Sequence, residues 1–457
     1  MPNQIDARKK SLWYSIIDGC AASMMIGFGE NYLSVFAIFL KASNTVIGLL
    51  ASMPQLIGTA SQLISVNILD RIGKRKSLII TAVIIQMLAW IPIFFLPFVW
   101  RGIGPILLIA AVAIYISAGS FTAPAWNSLM GDLVEPDKRG HYFGKRSRFT
   151  SIFTFGSVLC AGFILHWLKP INEWVGFAII FGIAFISRGI SAYYLKKMVE
   201  PDYIVAVKDH FTFWDFIRRS PKSNFARFVF YVALINMSVM IAGPFFAVYM
   251  LRDLHFSYVQ FTVGTAATTL TQFVVMRYWG KLCDRFGNKK ILNITGVMIS
   301  LVPIVWVLSP NFYWILAYQI FAGLFWSGFG LASGNFIFDA VSPPKRARCV
   351  AYLSLLNSIG MFLGATFGGW ISAYLSDYLI IFGWHIVLTS SLQVLFLISG
   401  LLRLVISAVF LPHIKEVRKV ETIPTWKLIF QIIQIRPLFG PIFEIFTGVS
   451  KDENKVD

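Results

Sequence analysis

The chain has 457 residues, 57% of them hydrophobic and only 14% charged, against about 25% charged in an ordinary soluble domain. That composition excludes a string of soluble domains. The formal net charge of +18 has to be located along the chain before it is assigned to any partner. Apolar runs long enough to cross a hydrocarbon core of about 30 Å as a helix recur along nearly the whole sequence. They lack the period-two alternation of barrel strands, so the backbone can be satisfied in lipid only as helix. The fold class expected is an all-α membrane protein with twelve transmembrane helices, at 13–38, 45–69, 77–98, 103–131, 149–168, 173–197, 223–251, 257–280, 290–308, 311–338, 349–375 and 380–411.

The first span carries Glu30 in "GFGENYLSVF", close to the bilayer midplane. An ionisable group at that depth costs on the order of 2–3 kcal/mol or more, and it persists where it faces a cavity or a partner. Glu30 is therefore the candidate proton-coupling or cation-binding carboxylate; the alternative is an acid paired with an interior base. Its neighbour Asn31 points about 100° away. The second span holds Gln55 and Gln62 and ends in "DRIGKRK", with Asp70, Arg71, Gly73, Arg75 and Lys76. The fourth holds Asn127 and runs into "GDLVEPDKRGHYFG", with Asp132 and Arg139.

Arg188 lies in the sixth span. Its guanidinium either binds an anionic solute group or snorkels to the interface. Asp18 and Arg277 sit within about two turns of a span end and read as interfacial. In the joining segment, "FTFWDFIRR" reads as a short amphipathic helix on the membrane surface.

Asn236, Gln272 and Asn357 stand in the seventh, eighth and eleventh spans. Like Gln55, Gln62, Asn127 and Asn31 they are candidates to line a solute path, although each alone also serves as interhelical glue. Gly360, Gly364 and Gly368 recur every four residues, a stripe for close helix packing. The tail, with "WKLIFQIIQIRPLFGPIFEIFTGV" broken at Arg436-Pro437, lies along the membrane surface or under the bundle.

An even span number puts both ends on one side. Most of the 40 basic residues cluster there, leaving Lys41, Arg101, Lys169 and Arg252 on the other. This bias places both termini in the cytoplasm, so the charge is topological and nucleic acid is not a partner. Cys20, Cys160, Cys283 and Cys349 have no spacing suited to a metal or a disulfide framework. No nucleotide loop, zinc-protease or nucleophile-elbow motif occurs, so no enzyme, cofactor or metal site is implied.

The charged hairpin "DRIGKRK" returns after the eighth span as "DRFGNKK", with Asp284, Arg285, Gly287, Lys289 and Lys290. After the tenth, "IFDAVSPPKRARCVA" repeats the segment after the fourth. Asp132, Pro136 and Arg139 fall on Asp339, Pro343 and Arg346 at one common offset. The chain thus divides into a first half (1–198), a linker (199–222), a second half (223–411) and a tail (412–457), with the halves as parallel repeats about an axis along the membrane normal.

At these residues the sequence resembles the major facilitator superfamily, whose signature is a loop of the form G-x-L-a-D-r-x-G-r-k after the second span and a weaker echo after the eighth. Here the second copy, "GKLCDRFGNKK", is the fuller match, and the first has Val66 where glycine is expected. The resemblance implies two six-helix bundles in the inner membrane. It also implies a cytoplasmic gate in which Asp70 meets the start of the eleventh span and Asp284 the start of the fifth. The bland alternative is a topological anchor. The function expected is secondary transport of a small organic solute by alternating access, coupled to protons or another ion, by a monomer among membrane lipids. An exporter or flippase of amphipathic drugs or lipids is the rival reading, and a transporter-like receptor a distant third.

Overall fold

A computed structural model describes residues 2–98, 103–135, 139–201, 223–341, 343–376, 378–381, 384–418 and 420–421. The linker helix "FTFWDFIRR" and the tail beyond Glu421 lie outside the described residues, as do the side chains of Asp70, Arg139 and Arg346. Ten described stretches are long and apolar enough to cross a membrane. One of them, Tyr142–Lys197, has 56 residues, twice a span's length. It belongs to a helical run, Arg139–Lys197, that breaks at Asn172 (φ −163°, ψ 108°), just after Pro170. The fifth and sixth spans are these two limbs. The eighth, Tyr258–Phe286, is a 29-residue helix whose threonines make it less apolar than the rest. Twelve crossings result.

The other spans are Pro2–Phe28 continuing through Leu33–Phe39, Asn44–Ile72, Arg75–Leu88 continuing through Trp90–Phe95, and Gly104–Leu133. In the second half they are Asn224–Ala242 continuing through Phe245–Val248, Asn288–Val305, Phe312–Ala340, Pro343–Ile371 and Leu392–Phe410. Local sequence explains their ends. Ser43 and Ser257 cap the second and eighth spans, the latter with a full capping box to Gln260. Gly73 closes the second span at φ 67° and Gly287 the eighth at φ 85°, a region that favours glycine.

The twelfth span corrects the sequence expectation. It starts at Leu392, and residues ahead of it pair as an antiparallel hairpin, β1 (Tyr378–Ile381) with β2 (Trp384–Val387), Tyr378 opposite Val387. "YLII" and "WHIV" are apolar enough to pass for the start of a helix. Their aromatic and β-branched content suits a strand.

Three apolar cores organise the bundle. One joins the two halves at the far end from the signature loops, with Phe36, Trp90, Phe177 and Phe181 in the same cluster as Phe245, Tyr249, Trp306 and Phe396. At the loop end the halves keep separate cores, Leu69, Ile79, Leu129 and Met130 in one and Phe228, Trp279, Phe329 and Phe336 in the other. Polar contacts follow the same division. Arg252 reaches Asn44 (2.9 Å), Thr45 reaches the Gly369 carbonyl (3.2 Å) and Tyr32 meets Thr262 (2.8 Å). Tyr258 donates to Glu173. Among the described residues, the hydrogen bond between halves nearest the loop end joins Thr59 to Ser358 at 2.6 Å.

The glycine stripe of the eleventh span packs on its own half. A Cβ on Gly360, Gly364 or Gly368 would stand 2.8, 2.0 and 2.2 Å from the carbonyl oxygens of Ala233, Met237 and Ile241. Only glycine lets the seventh span come that close.

Candidate functional site

Glu30 sits where the first span breaks into a short 3-10 turn, Glu30–Tyr32. Gly29 before it has no side chain, and the Trp90 ring occupies the space a Cβ would take. The carboxylate turns into its own half and accepts a hydrogen bond from the Tyr115 hydroxyl at 2.9 Å. Tyr115 is fully buried and packs edge-on to Trp90, ring centroids 5.1 Å apart. No other hydrogen bond to the Glu30 carboxylate occurs among the described residues.

Asn31 turns the other way. It lines a cavity of about 100 Å³ between the halves, with Tyr32, Thr154 and Phe155 facing Phe261, Thr265 and Thr269. Its amide also donates to the Ile26 carbonyl (2.9 Å). The cavity wall is aromatic and hydroxylic, with no charged side chain on it.

Below Glu30 lies a second buried group. The Arg188 guanidinium donates to Ser191 (2.9 Å) and the Ser191 hydroxyl to Asp18 (2.6 Å). Arg146 approaches the other Asp18 oxygen at 3.7 Å while stacking on Trp126. Arg188 and Asp18 are only 8% and 4% exposed, so neither sits at an interface. Arg188 does not snorkel, because Asp18, more than four turns into the first span, supplies the countercharge. Arg188 also lies within electrostatic reach of Tyr115. Two acids and two arginines thus share the interior of the first half.

Among the described residues, the second half has nothing equivalent. There Arg403, which the sequence reading does not single out, is buried and donates to the Ile299 carbonyl (3.0 Å) and Ser399 (2.8 Å). No acid faces it among the described residues. Its signal in the sequence is "SGLLRLVISA", a lone arginine seven residues from the helix end.

The remaining polar candidates divide. Asn236 and Asn357 bond each other (3.2 Å), tying the seventh span to the eleventh. Gln62 and Asn127 are exposed, while Gln55 and Gln272 are half-buried with no side-chain hydrogen bond among the described residues. The structure therefore gathers Asn31 at the cavity and leaves the others along the walls.

At the loop end each signature loop is tied within its own half. Arg75, fully buried, pairs with Asp132, donates to Ser128 (3.1 Å) and donates to the Pro201 carbonyl (2.6 Å). Glu200 accepts from the Lys76 amide at 3.1 Å. In the second half the chain after the twelfth span takes these roles. Glu416 accepts from the Lys289 amide (2.8 Å), and Arg418 lies 3.1 Å from Asp339 and 4.0 Å from Asp284. Glu421 pairs with Arg285 (2.8 Å), and Arg71 is exposed. "VEPD" after the sixth span and "KEVR" after the twelfth are thus matching parts of the repeat that sequence alignment of the loops does not reach.

Comparison with known proteins places this geometry. A sequence model of the Major Facilitator Superfamily matches residues 19–236 and again 228–449. Among curated proteins, the niacin transporter NiaP of Acinetobacter baylyi is 33% identical over 124 residues, 27% of this chain and 24% of that protein. The quinolone resistance protein NorA of Staphylococcus aureus is 26% identical over 144 residues, 31% of this chain and 37% of that protein. The chain thus spans about a quarter to a third of the length of these relatives. The solved structure of the nucleoside transporter NupG superimposes with a TM-score of 0.64 over 90% of this chain and 99% of that one, at 15% identity. A bacterial homologue of the iron transporter ferroportin, in its inward-facing state, gives 0.65 over 89% and 98%, at 12% identity.

Proposed function

We propose that this chain, which belongs to the Major Facilitator Superfamily, is a secondary active transporter that moves a small organic solute across the inner membrane by alternating access. The observation that carries the reading is the uneven contact between halves: one shared core at the far end, two separate cores at the loop end. A bundle closed at one end and parted at the other is one of the two states that such a cycle needs. With the basic loops cytoplasmic, this state opens inward.

Glu30 carries the coupling proton. It stands at the break of a span, beside the cavity and held by one hydroxyl, so its carboxyl can change partner when the halves move. Asp70, Arg71, Gly73, Arg75, Asp132 and Arg139 with Asp284, Arg285, Gly287, Lys289, Asp339 and Arg346 form the cytoplasmic gate. The described partners of Arg75, Asp132, Asp284, Arg285, Lys289 and Asp339 lie within their own half and keep the loops folded while the gate is open.

The cavity wall favours a second reading, export of amphipathic molecules, because Phe155, Phe261 and Tyr32 alternate there with threonines. The two readings share one test. Everted vesicles and right-side-out vesicles are loaded with labelled solutes under an imposed proton gradient, with Glu30→Gln alongside. Gradient-driven accumulation that disappears in the variant supports coupling through Glu30. Accumulation at full level in the variant overturns it, and the vesicle orientation that accumulates gives the direction.

A further inference from the structure

Arg148 and Arg277 take part in none of the pairings described above. Arg148 lies in the fifth span and Arg277 in the eighth, which run antiparallel, one from each half. The helices extend further than the sequence suggests, so each arginine stands nine residues from the loop end of its helix, at Arg139 and Phe286. That is about 14 Å inside, at 1.5 Å per residue. The two spans touch where Gly162 meets Thr262. From that point Arg148 lies fourteen residues toward the loop end and Arg277 fifteen, about 21 and 22 Å, so the two share one level.

They also share one side. Arg148 is seven residues from Phe155 and Arg277 eleven from Ala266, both of which line the cavity. Each is turned only about 20° from that residue on its helix. Both are exposed, and neither makes a hydrogen bond or ion pair among the described residues. Nor is an acid available to them among the described side chains. Every described acidic side chain is engaged elsewhere: Asp18, Glu30, Asp132, Glu173, Glu200, Asp253, Asp284, Asp339, Glu416 and Glu421 in contacts to other groups, and Glu135 with a partner of its own.

A guanidinium on a membrane-spanning helix is costly where it faces lipid and not where it faces a water-filled seam. We infer that Arg148 and Arg277 form an anion clamp across the seam between the fifth and eighth spans, taking the carboxylate or phosphate head of an amphipathic cargo. The body of that cargo reaches about 10–17 Å toward the cavity, the helical distance from Arg148 to Phe155 and from Arg277 to Ala266. Guanidinium groups match such oxyanions in a two-pronged geometry. Closing the loop end brings the two spans together and two like charges with them. An anion between them removes that repulsion, so the occupied state favours closure. The inference rests on the transport reading for its consequence, while the clamp itself is a binding site and is tested by binding.

The test uses the full chain. Thermal unfolding is followed in dodecyl maltoside with octanoate, with octanol as its uncharged counterpart, and separately in nanodiscs with and without phosphatidylglycerol. The proteins are wild type, Arg148→Gln, Arg277→Gln and the double variant, with Arg148→Lys/Arg277→Lys as the charge-conserving version in case a glutamine variant folds poorly. Stabilisation by octanoate but not octanol, with the half-effect concentration raised about tenfold by either glutamine, supports a soluble organic acid. Stabilisation by phosphatidylglycerol alone, weakened by the same substitutions, supports a lipid headgroup. No stabilisation of the wild type by either anion, or an equal effect in the double variant, overturns the clamp. Solute accumulation in vesicles is measured in parallel, so a loss of transport with the clamp intact is told apart from a loss of the clamp.

Discussion

Tyr115→Phe removes one hydroxyl from a fully buried ring and leaves its packing on Trp90 in place. The change isolates the hydrogen bond at 2.9 Å to Glu30, the only one the carboxyl receives among the described residues. Its size depends on what Glu30 is at rest. A bond between neutral groups is worth about 1 kcal/mol and one to a charged group about 1.5–3 kcal/mol. The single variant should therefore lose about 1 kcal/mol if the carboxyl is protonated and about 1.5–3 kcal/mol if it is ionised. Glu30→Gln and the double variant complete a cycle, whose interaction energy separates the bond from each residue's other contacts. Reversible unfolding in mixed micelles, followed by tryptophan fluorescence, gives the four stabilities. An interaction energy within about 0.3 kcal/mol of zero would refute the pairing and detach Tyr115 from any role in proton handling.

Gly364→Ala puts a Cβ 2.0 Å from the Met237 carbonyl oxygen and should cost about 1–3 kcal/mol by overpacking. Gly334→Ala, with open space around it, should be neutral or slightly stabilising, and equal thermal midpoints for the two would contradict the close packing described. Arg75→Gln removes a buried guanidinium from hydrogen bonds to the half-exposed Asp132, Ser128 and the Pro201 carbonyl and should cost about 1–3 kcal/mol, read as a drop in folded yield that Arg71→Gln, exposed at the same loop, does not produce. Ending the chain after Leu411 removes Glu416 and Arg418 from the second signature loop. The expected result is faster proteolysis near residues 283–290 than in the intact protein, and an unchanged cleavage pattern would show that the strap holds nothing.

The parts of the fold that the sequence reveals are those written in local pattern. Twelve apolar runs and two copies of one charged hairpin suffice for the count, the halves and the orientation of the repeat. Asn172 breaks a helix at the position expected, and Gly73 and Gly287 turn where a positive φ is needed. What escapes is whatever depends on distant partners. Asp18 reads as interfacial until Arg146 and Ser191, far along the chain, close over it. Arg403 reads as one more basic residue near a helix end, because nothing local reports burial against the Ile299 carbonyl. The pairing of β1 with β2 escapes for the opposite reason: its hydropathy suits a span, and only its aromatic and β-branched content marks strands. Arg418 takes up Asp339 across 79 positions, a pairing that no spacing rule contains.

The contact between Thr59 and Ser358 has a mechanical consequence. From Thr59 the second span runs thirteen residues to Ile72 and fifteen back to Asn44, about 20 Å one way and 22 Å the other. In the alternating-access cycle proposed above, a pivot there divides the helix into nearly equal arms and makes the bundle a balanced lever. Each degree of rotation moves either tip by about 0.35 Å on such an arm, and a turn of about 10° parts one end by roughly the width of a methyl group as the other draws in by the same amount. Equal arms mean that neither side of the membrane has a leverage advantage. Whatever biases the cycle must then come from what sits in the cleft, and from the groups that meet at its two rims.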